Sequence, residues 1–243
     1  MNLFRYNDLI LKELVKVTFI IAQASLETVP SEIANHTSVL NDARRKGLKP
    51  NELLLDRSVH HRAMLKLKNN ERRGRPDIVY HVLLDITSSP IYRSGYVSLF
   101  IHTIQDYVLE ISEIIRPPRS YSRFEYLMVQ LFKEGTVGDG LIKLRSSGFP
   151  ELINQIGTDR VIGFSRLGTF EKIESIVNLI TKYERPALVI GGFPVGHFDK
   201  SIIGCLNDVF SISKFPLDTS TTVNRLLCGL EESNFFFSRM YGV

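Results

Sequence analysis

Residues 187–196 read ALVIGGFPVG, a short apolar run of the kind found in buried strands, followed at once by a glycine-rich turn. Similar apolar runs lie on either side, at Arg160–Phe164 and Asp208–Ser213. Helical patterns, in which apolar residues recur on one face, follow these runs at Thr169–Tyr183 and Pro216–Glu231. The alternation of strand and helix predicts an α/β fold, with a parallel sheet covered by helices.

Each of these three predicted strands is followed by small or backbone-exposing residues, at Ser165–Thr169, Gly191–Gly196 and Ser211–Leu217. Ligands of open parallel sheets bind at the carboxyl ends of strands. Glycine lets the backbone approach a flat ligand closely, although a glycine pair can also serve only to turn the chain. We therefore expect a ligand site at this edge of the sheet.

The first half of the chain adds further expected elements and no interdomain linker, so we expect a single domain over residues 1–243. Ser31 is expected to cap a helix that runs to Arg45 and ends at Gly47. The other expected elements are a strand at Lys16–Gln23, helices at Ser58–Lys68, Pro76–Thr87 and Arg123–Lys133, and a hairpin of Tyr96–Thr103 with Asp106–Ile111.

The composition excludes several classes of protein. Apolar residues make up 44% and charged residues 23% of the chain, as in ordinary globular proteins. No apolar run approaches the roughly 18 residues of a membrane span, so no membrane partner is expected. Six histidines without metal-ligand spacing, and two cysteines without a Cys-x-x-Cys motif, give no sign of a metal site. The glycine motifs of dinucleotide and P-loop sites are also missing.

The charge of the chain is concentrated in two segments. The formal net charge is only +4, yet residues 42–81 hold eleven basic and five acidic residues. A second segment, Arg116–Arg123, holds three arginines and no acid. Such clusters are typical of a phosphate-rich partner, and equally of a solvated surface.

Local features of both segments favour a nucleic acid as the phosphate-rich partner. Arg72–Asp77 places three arginines before a helix that begins at Pro76, where free N–H groups favour an anion. Asp77 is close enough along the chain to brace Arg75 in a two-pronged ion pair. Taken alone, this motif is more simply interpreted as a helix cap with an exposed ion pair. In the second segment two prolines stiffen the loop. Tyr121 could stack on an unpaired base, whereas Phe124 is expected to join the core.

These segments lie in a series that resembles the ribosome-biogenesis pseudouridine-N1-methyltransferases of the SPOUT, or alpha/beta-knot, superfamily. The matching motifs follow one another in the same order over nearly the whole chain. Each motif alone is weak evidence, but together they are specific. It comprises Arg72–Ile78, Ser89-Pro90, Phe100–Thr103, Pro118-Arg119, Arg123-Phe124, Leu127–Leu131, Gly191–Gly196, Ser211–Ser213, Phe215–Leu217 and Glu231-Glu232.

The resemblance implies a parallel-sheet SPOUT fold with a C-terminal deep trefoil knot and a basic insertion. It implies an RNA-binding insertion and loop within residues 42–125, and a cofactor-binding knot region over residues 158–243. It further implies a homodimer that binds S-adenosylmethionine and methylates N1 of a pseudouridine in small-subunit (16S-type) ribosomal RNA during ribosome biogenesis. The long N-terminal extension of eukaryotic members is missing, so we expect an archaeal-type enzyme in the cytoplasm.

The resemblance also implies roles for individual residues. Arg75, Arg116, Arg119 and Arg123 would contact the RNA, and Asp77 would orient Arg75. The cofactor pocket would be lined by Gly191, Gly196, Ile212, Ser213, Lys214, Phe215, Pro216 and Leu217, and closed by Leu167, Gly168 and Thr169. Two alternatives stay open, a non-catalytic RNA-binding assembly factor and a SPOUT methyltransferase that acts on transfer RNA. The sequence identifies no base for the N1 proton.

Overall fold

The computed structural model describes residues 15–242, so the expected domain of residues 1–243 is covered except for residues 1–14 and 243. The strands are β1 Val17–Ala24, β2 Val97–Thr103, β3 Tyr107–Ile111, β4 Thr136–Val137, β5 Ile142–Ser146, β6 Arg160–Phe170, β7 Pro186–Gly191 and β8 Asp208–Ser211. The helices are α1 Thr37–Lys46, α2 Arg57–Met64, α3 Pro76–Ser88, α4 Pro90–Arg93, α5 Tyr121–Glu134, α6 Phe149–Ile156, α7 Ile173–Ile180, α8 Lys200–Ile203, α9 Thr219–Glu232 and α10 Asn234–Tyr241.

The described residues form one eight-stranded sheet in the order β4-β5-β3-β2-β1-β7-β6-β8. Five neighbouring strands, from β2 to β8 in that order, pair in parallel, as the sequence predicts. The predicted hairpin is the antiparallel pair β2–β3. The sheet is nevertheless mixed, because β5 and β4 extend it antiparallel beyond β3, and neither strand was expected from the sequence.

Strand β1 lies inside the sheet, and all of its residues are buried. Because side chains alternate along a strand, Phe19 and Ile21 enter the larger core, whereas Ile20 and Ala22 enter a second core on the other face. Helices α3, α5, α7 and α9 contribute to the larger core, and α6 and α8 to the second. Both faces are thus covered around the centre of the sheet, as in other α/β folds.

Residues 29–67 form a small core of their own beside the sheet, containing Val39, Leu53 and Met64. The helix expected from Ser31 starts later here, because residues 31–33 form a separate 3-10 turn. Helix α1 begins at Thr37, and Gly47 stops it as expected, where glycine adopts φ 66°. Much of the basic segment 42–81 therefore belongs to this small packed unit.

Two other expected helices begin too early. The helix expected from Thr169 is wrong at its start, because β6 continues to Phe170 and α7 begins at Ile173. Pro216 is not in the first turn of the last helix, which begins at Thr219. Thr169 and Phe170 thus belong to the end of β6, and residues 216–218 belong to the loop after β8. Helix α3 begins at Pro76 as predicted.

Candidate functional site

A cavity of about 750 Å³ lies where strands β6, β7 and β8 end. It is lined by residues of all three strand-end loops and by the first turns of α9. The start of α3 also contributes, through Arg75, Asp77, Ile78 and His81. The volume falls within the range of small-molecule sites, about 300–1,000 Å³. The loops that the sequence singled out therefore meet at one ligand-sized space.

Most of the residues assigned to the cofactor by the family resemblance line this cavity. Those that do are Gly191, Gly196, Ile212, Ser213, Phe215, Pro216 and Leu217. Lys214 does not line it, although both of its neighbours do. The backbone of the 213–215 turn is fixed by the Ser213 hydroxyl, which accepts the Phe215 N–H at 3.0 Å.

Leu167, Gly168 and Thr169 are not among the residues that line the cavity, to which the same loop contributes Ser165 and Arg166. After Phe164 the pairing of β6 with β8 is interrupted, and it resumes at Thr169 opposite Phe210. Gly168 lies so close to β8 that a Cβ there would stand 2.6 Å from the Val209 carbonyl oxygen. Gly168 is therefore held against β8.

The glycine-rich turn after β7 is fastened to the end of β1. The Gly192 N–H donates to the Ala22 carbonyl at 2.8 Å, and the Ser25 N–H donates to the Gly192 carbonyl at 2.9 Å. A Cβ on Gly192 would lie 2.8 Å from the Ala24 Cα, so only glycine fits. The Thr219 hydroxyl at the start of α9 donates to the Gly191 carbonyl at 2.7 Å. The glycine-rich turn, which forms one wall of the cavity, is thus hydrogen-bonded both to the end of β1 and to the start of α9.

Arg75 and Asp77 form the ion pair that their spacing suggests. Two guanidinium nitrogens of Arg75 each donate to one carboxylate oxygen of Asp77 at 2.8 Å. Bonding to Asp77 raises the pKa of the Arg75 guanidinium. Both side chains are more than a third exposed and line the cavity. The arrangement fixes the orientation of the Arg75 guanidinium beside the cavity.

The other two arginines of this motif do not line the cavity. Arg73 donates to both carboxylate oxygens of Glu27, at 2.8 and 2.6 Å, and Glu27 is 1% exposed. Arg72 pairs with Asp199 at 2.9 Å and lies over the Phe193 ring, 4.2 Å from its centroid. Both guanidinium groups are used to join distant parts of the fold.

The loop before α5 presents Arg116 and Arg119, and the first turn of α5 presents Arg123. All three are exposed and form no ion pair within residues 15–242. Its backbone is anchored, because the Tyr80 hydroxyl of α3 donates to the Arg119 carbonyl. The loop therefore offers free cations on a fixed backbone.

Two aromatic residues near this loop belong to the packed structure. Phe124 is 0% exposed, which confirms the prediction that it joins the core. The Tyr121 hydroxyl donates to Asp56 at 2.8 Å. Burial, followed by the Asp56 charge, raises the pKa of Tyr121. Tyr121 is thus held by the residue just before α2 and is not a free stacking surface.

Among residues 15–242, no helix combines the length and apolar character needed to cross a membrane. The same residues contain no cluster of three His, Cys, Asp or Glu side chains arranged to hold a metal ion.

Comparison with known proteins gives consistent matches over most of the chain. The model of the family described as EMG1/NEP1 methyltransferase matches residues 19–231. The chain is 38% identical over 219 residues to the ribosomal RNA small subunit methyltransferase Nep1 of Staphylothermus marinus, covering 88% of this chain and 95% of the relative. It is 37% identical over 214 residues to Nep1 of Thermococcus onnurineus, covering 87% and 96%.

A solved structure matches the fold over a similar extent. The crystal structure of Archaeoglobus fulgidus Nep1 bound to S-adenosylhomocysteine aligns with a TM-score of 0.80 at 31% identity. The alignment covers 89% of this chain and 97% of that one.

Proposed function

The chain belongs to the EMG1/NEP1 methyltransferase family, and on that premise we propose that it transfers a methyl group from S-adenosylmethionine to small-subunit ribosomal RNA. The observation that carries the proposal is the cavity at the ends of β6, β7 and β8. It belongs to a fold shared with a relative whose crystal structure is described as bound to S-adenosylhomocysteine, the product of such a transfer.

The residues of the cavity fit a cofactor with an adenosine group. Ile190 and Ile212 offer buried apolar surface, and Gly191 brings backbone close to the cavity. Backbone N–H and C=O groups can recognise the edge of an adenine ring. S-adenosylmethionine supplies a methyl group that its sulfonium centre has already activated. The protein then has to align donor and acceptor, which alone can lower a barrier by several kcal/mol.

We further propose that the acceptor is N1 of a pseudouridine. A base in a folded RNA has to leave its stack to enter such a cavity. Arg75, oriented by Asp77, lies beside the cavity, where it can contact the flanking RNA. Arg116, Arg119 and Arg123 would contact the phosphate backbone, since phosphate contacts position a nucleic acid without reading its sequence.

We also propose how the chain is divided between RNA and cofactor, how it associates and where it acts. Residues 42–125 provide the RNA-binding insertion and loop, and residues 158–243 the cofactor-binding region, threaded as a deep trefoil knot. Two copies associate, and the exposed apolar side chains of Leu167, Phe170 and Phe215 near the cavity support such an interface. The protein acts in the cytoplasm, in the biogenesis of the small ribosomal subunit.

Methyl transfer from labelled S-adenosylmethionine tests the function. The acceptors are a small-subunit rRNA hairpin containing one pseudouridine, the same hairpin with uridine, and a transfer-RNA hairpin. We expect label only in the first, with N1-methylpseudouridine identified by nucleoside mass spectrometry. Binding of RNA and cofactor without transfer would favour the non-catalytic assembly factor. Labelled uridine or transfer-RNA hairpins would refute the proposed acceptor.

A further inference from the structure

A second cavity, of about 700 Å³, lies near the amino ends of β1 and β2. It is at the opposite end of the parallel strands from the first cavity, and no described residue lines both cavities. Its volume is again that of a small-molecule site. One of its lining cations, Lys16, already forms an ion pair with Glu113.

The floor of this second cavity is formed by neighbouring strands of the sheet. Thr18 of β1 lies opposite Ser98 of β2, and Phe100 lies between Ile20 and Glu110 on the strands beside it. Ile20 packs in the second core, and paired residues of adjacent strands point to the same face. These side chains therefore share the face of the sheet that carries the second core.

Two arginines line the cavity without a partner of their own. Arg145 of β5 lies opposite Val108, a residue of the second core, and so belongs to the same face. Arg185 precedes β7, and its backbone N–H and carbonyl are bonded to Asp159 at 3.1 and 3.2 Å. Neither guanidinium forms a hydrogen bond or an ion pair within residues 15–242. Both cations are thus available to an anionic ligand.

Other polar groups of the lining are also unused within the described part of the chain. Thr18 is 5% exposed, yet its hydroxyl forms no hydrogen bond there. The Ser98 hydroxyl, the Glu110 carboxylate and the Gln155 amide have no partner among these residues either. Buried polar groups usually have a hydrogen-bond partner. The set therefore indicates a ligand that brings both donors and acceptors.

We propose that this cavity binds a phosphorylated nucleoside, as a free nucleotide or as one unit of a single-stranded RNA. Arg145 and Arg185 bind the phosphate, because guanidinium groups match its oxygens in charge and geometry. The half-buried ring of Phe100 is the stacking surface for the base. Glu110 repels a bare anion but accepts hydrogen bonds from sugar hydroxyls. The inference does not depend on the proposed methyl transfer.

Calorimetric titration of the full-length protein tests this assignment, with saturating S-adenosylhomocysteine present to fill the first cavity. The probes are uridine and adenosine 5′-monophosphate, the two nucleosides, and inorganic phosphate. We expect at least one nucleotide to bind, and its nucleoside and phosphate to bind at least about tenfold more weakly, since bonds to charged groups are the stronger ones. Each bare fragment lacks half of the proposed contacts.

Three variants and a matched control locate the binding. Arg145→Gln and Arg185→Gln should each weaken the nucleotide about tenfold or more. Phe100→Leu should weaken it about fivefold or more, through lost stacking. Lys143→Gln removes an exposed cation from the same strand and face as Arg145, outside the cavity lining, and should change nothing. S-adenosylhomocysteine affinity should be equal in all four variants, which shows that they fold.

Competition with a six-residue single-stranded RNA distinguishes the two sources of the ligand. Displacement of the nucleotide would show that an RNA strand enters the cavity, and failure to displace it would identify the free nucleotide as the ligand. Phosphate that binds as tightly as the nucleotide would reveal a simple anion site and overturn the proposal. An equal loss in Lys143→Gln would trace binding to general surface charge and also overturn it, as would no binding of either nucleotide.

Discussion

Two arginine-rich segments of this protein look alike in sequence and are used differently in the fold. In residues 72–75 all three arginines form ion pairs, with Asp199, Glu27 and Asp77. In residues 116–123 the three arginines have no such partner among residues 15–242, and the backbone of Arg119 is anchored by Tyr80. The first segment joins parts of the protein, and the second leaves its charges for a ligand.

A count of charged residues therefore does not show which of the charges remain free to bind a ligand. Arg73 is separated from Glu27 by 46 positions, and Arg72 from Asp199 by 127. Only the fold brings these partners together, so the sequence alone does not distinguish Arg72 and Arg73 from the unpaired arginines of residues 116–123. Arg75 combines both uses, because it is paired and still lines the cavity.

The largest effect is expected from Arg73→Met, which leaves the buried Glu27 carboxylate without its cation. Breaking a buried ion pair on one side costs about 3–5 kcal/mol, because the remaining charge is uncompensated. The free energy of unfolding, measured by denaturant titration, should fall by that amount. Arg116→Met, in the other segment, should change it by less than about 0.5 kcal/mol.

The double variant Arg73→Met with Glu27→Gln sharpens this result. It removes both charges and leaves a side chain that can still accept the bond from Gln105, which now donates to Glu27 at 2.7 Å. Much of the lost stability should return. A double variant as unstable as the single one would show that Arg73 acts through packing and not through charge.

An intermediate effect is expected from Arg119→Ala, on RNA binding and not on stability. The Tyr80 bond reaches the backbone of residue 119, so the loop keeps its anchor. Affinity for the rRNA hairpin should fall on the order of tenfold at 0.1 M salt, and the slope of log affinity against log salt should decrease by about one.

Arg119→Lys is the matched control, because it keeps the charge and should keep most of the salt slope. S-adenosylhomocysteine affinity should be unchanged in both variants. A loss of stability or of cofactor binding in Arg119→Ala would show that this arginine supports the fold, as Arg72 and Arg73 do. The contrast between the two segments would then disappear.

The smallest effect is a pH dependence of stability that arises from the buried pair of His60 and Asp42. His60 is 0% exposed, and its Nε2 lies 3.4 Å from Asp42. Burial lowers the pKa of His60, a shift that Asp42 only partly opposes. The unfolded chain therefore binds more protons as the pH falls below about 6.5, and stability decreases.

Between pH 7.5 and pH 6.0 this linkage removes up to about 0.8 kcal/mol from the free energy of unfolding. In His60→Gln this contribution should vanish, so denaturant titrations at the two pH values should differ by less than in the unmodified protein. His102, whose pKa is also lowered by burial, contributes equally to both proteins and cancels in the comparison. Identical pH dependence would mean that His60 does not carry the linkage.

Local patterns predicted much of the fold. The apolar runs gave β1, β2, β7 and the start of β6, and Pro76 marked the start of α3. Strand β5 escaped notice because only Ile142 among its residues is buried, which leaves no clear alternation. The end of β6 was misread as helix because pairing of Thr169 with Phe210 is a long-range contact.

In the site, too, local features could be predicted from the sequence and long-range geometry could not. The Arg75–Asp77 pair joins residues two positions apart and was foreseen, as was the role of the strand ends in forming one edge. Arg166 and Asp218, which also line the first cavity, were not singled out, although Arg166 lies within the loop that the strand pattern marked. The sequence gives no sign that Asp218 is left without a capping bond, because that depends on the geometry of the α9 start.

The central place of β1 also governs how the chain can assemble during synthesis. Thr18 pairs with Ala187, so one side of this wholly buried strand has no partner until most of the chain has left the ribosome. At about 5–20 residues per second this interval lasts on the order of ten seconds or more. An open apolar edge is a template for pairing with other nascent chains. Truncation before residue 186 should therefore yield aggregates, and the cell has to shield this edge until β7 arrives.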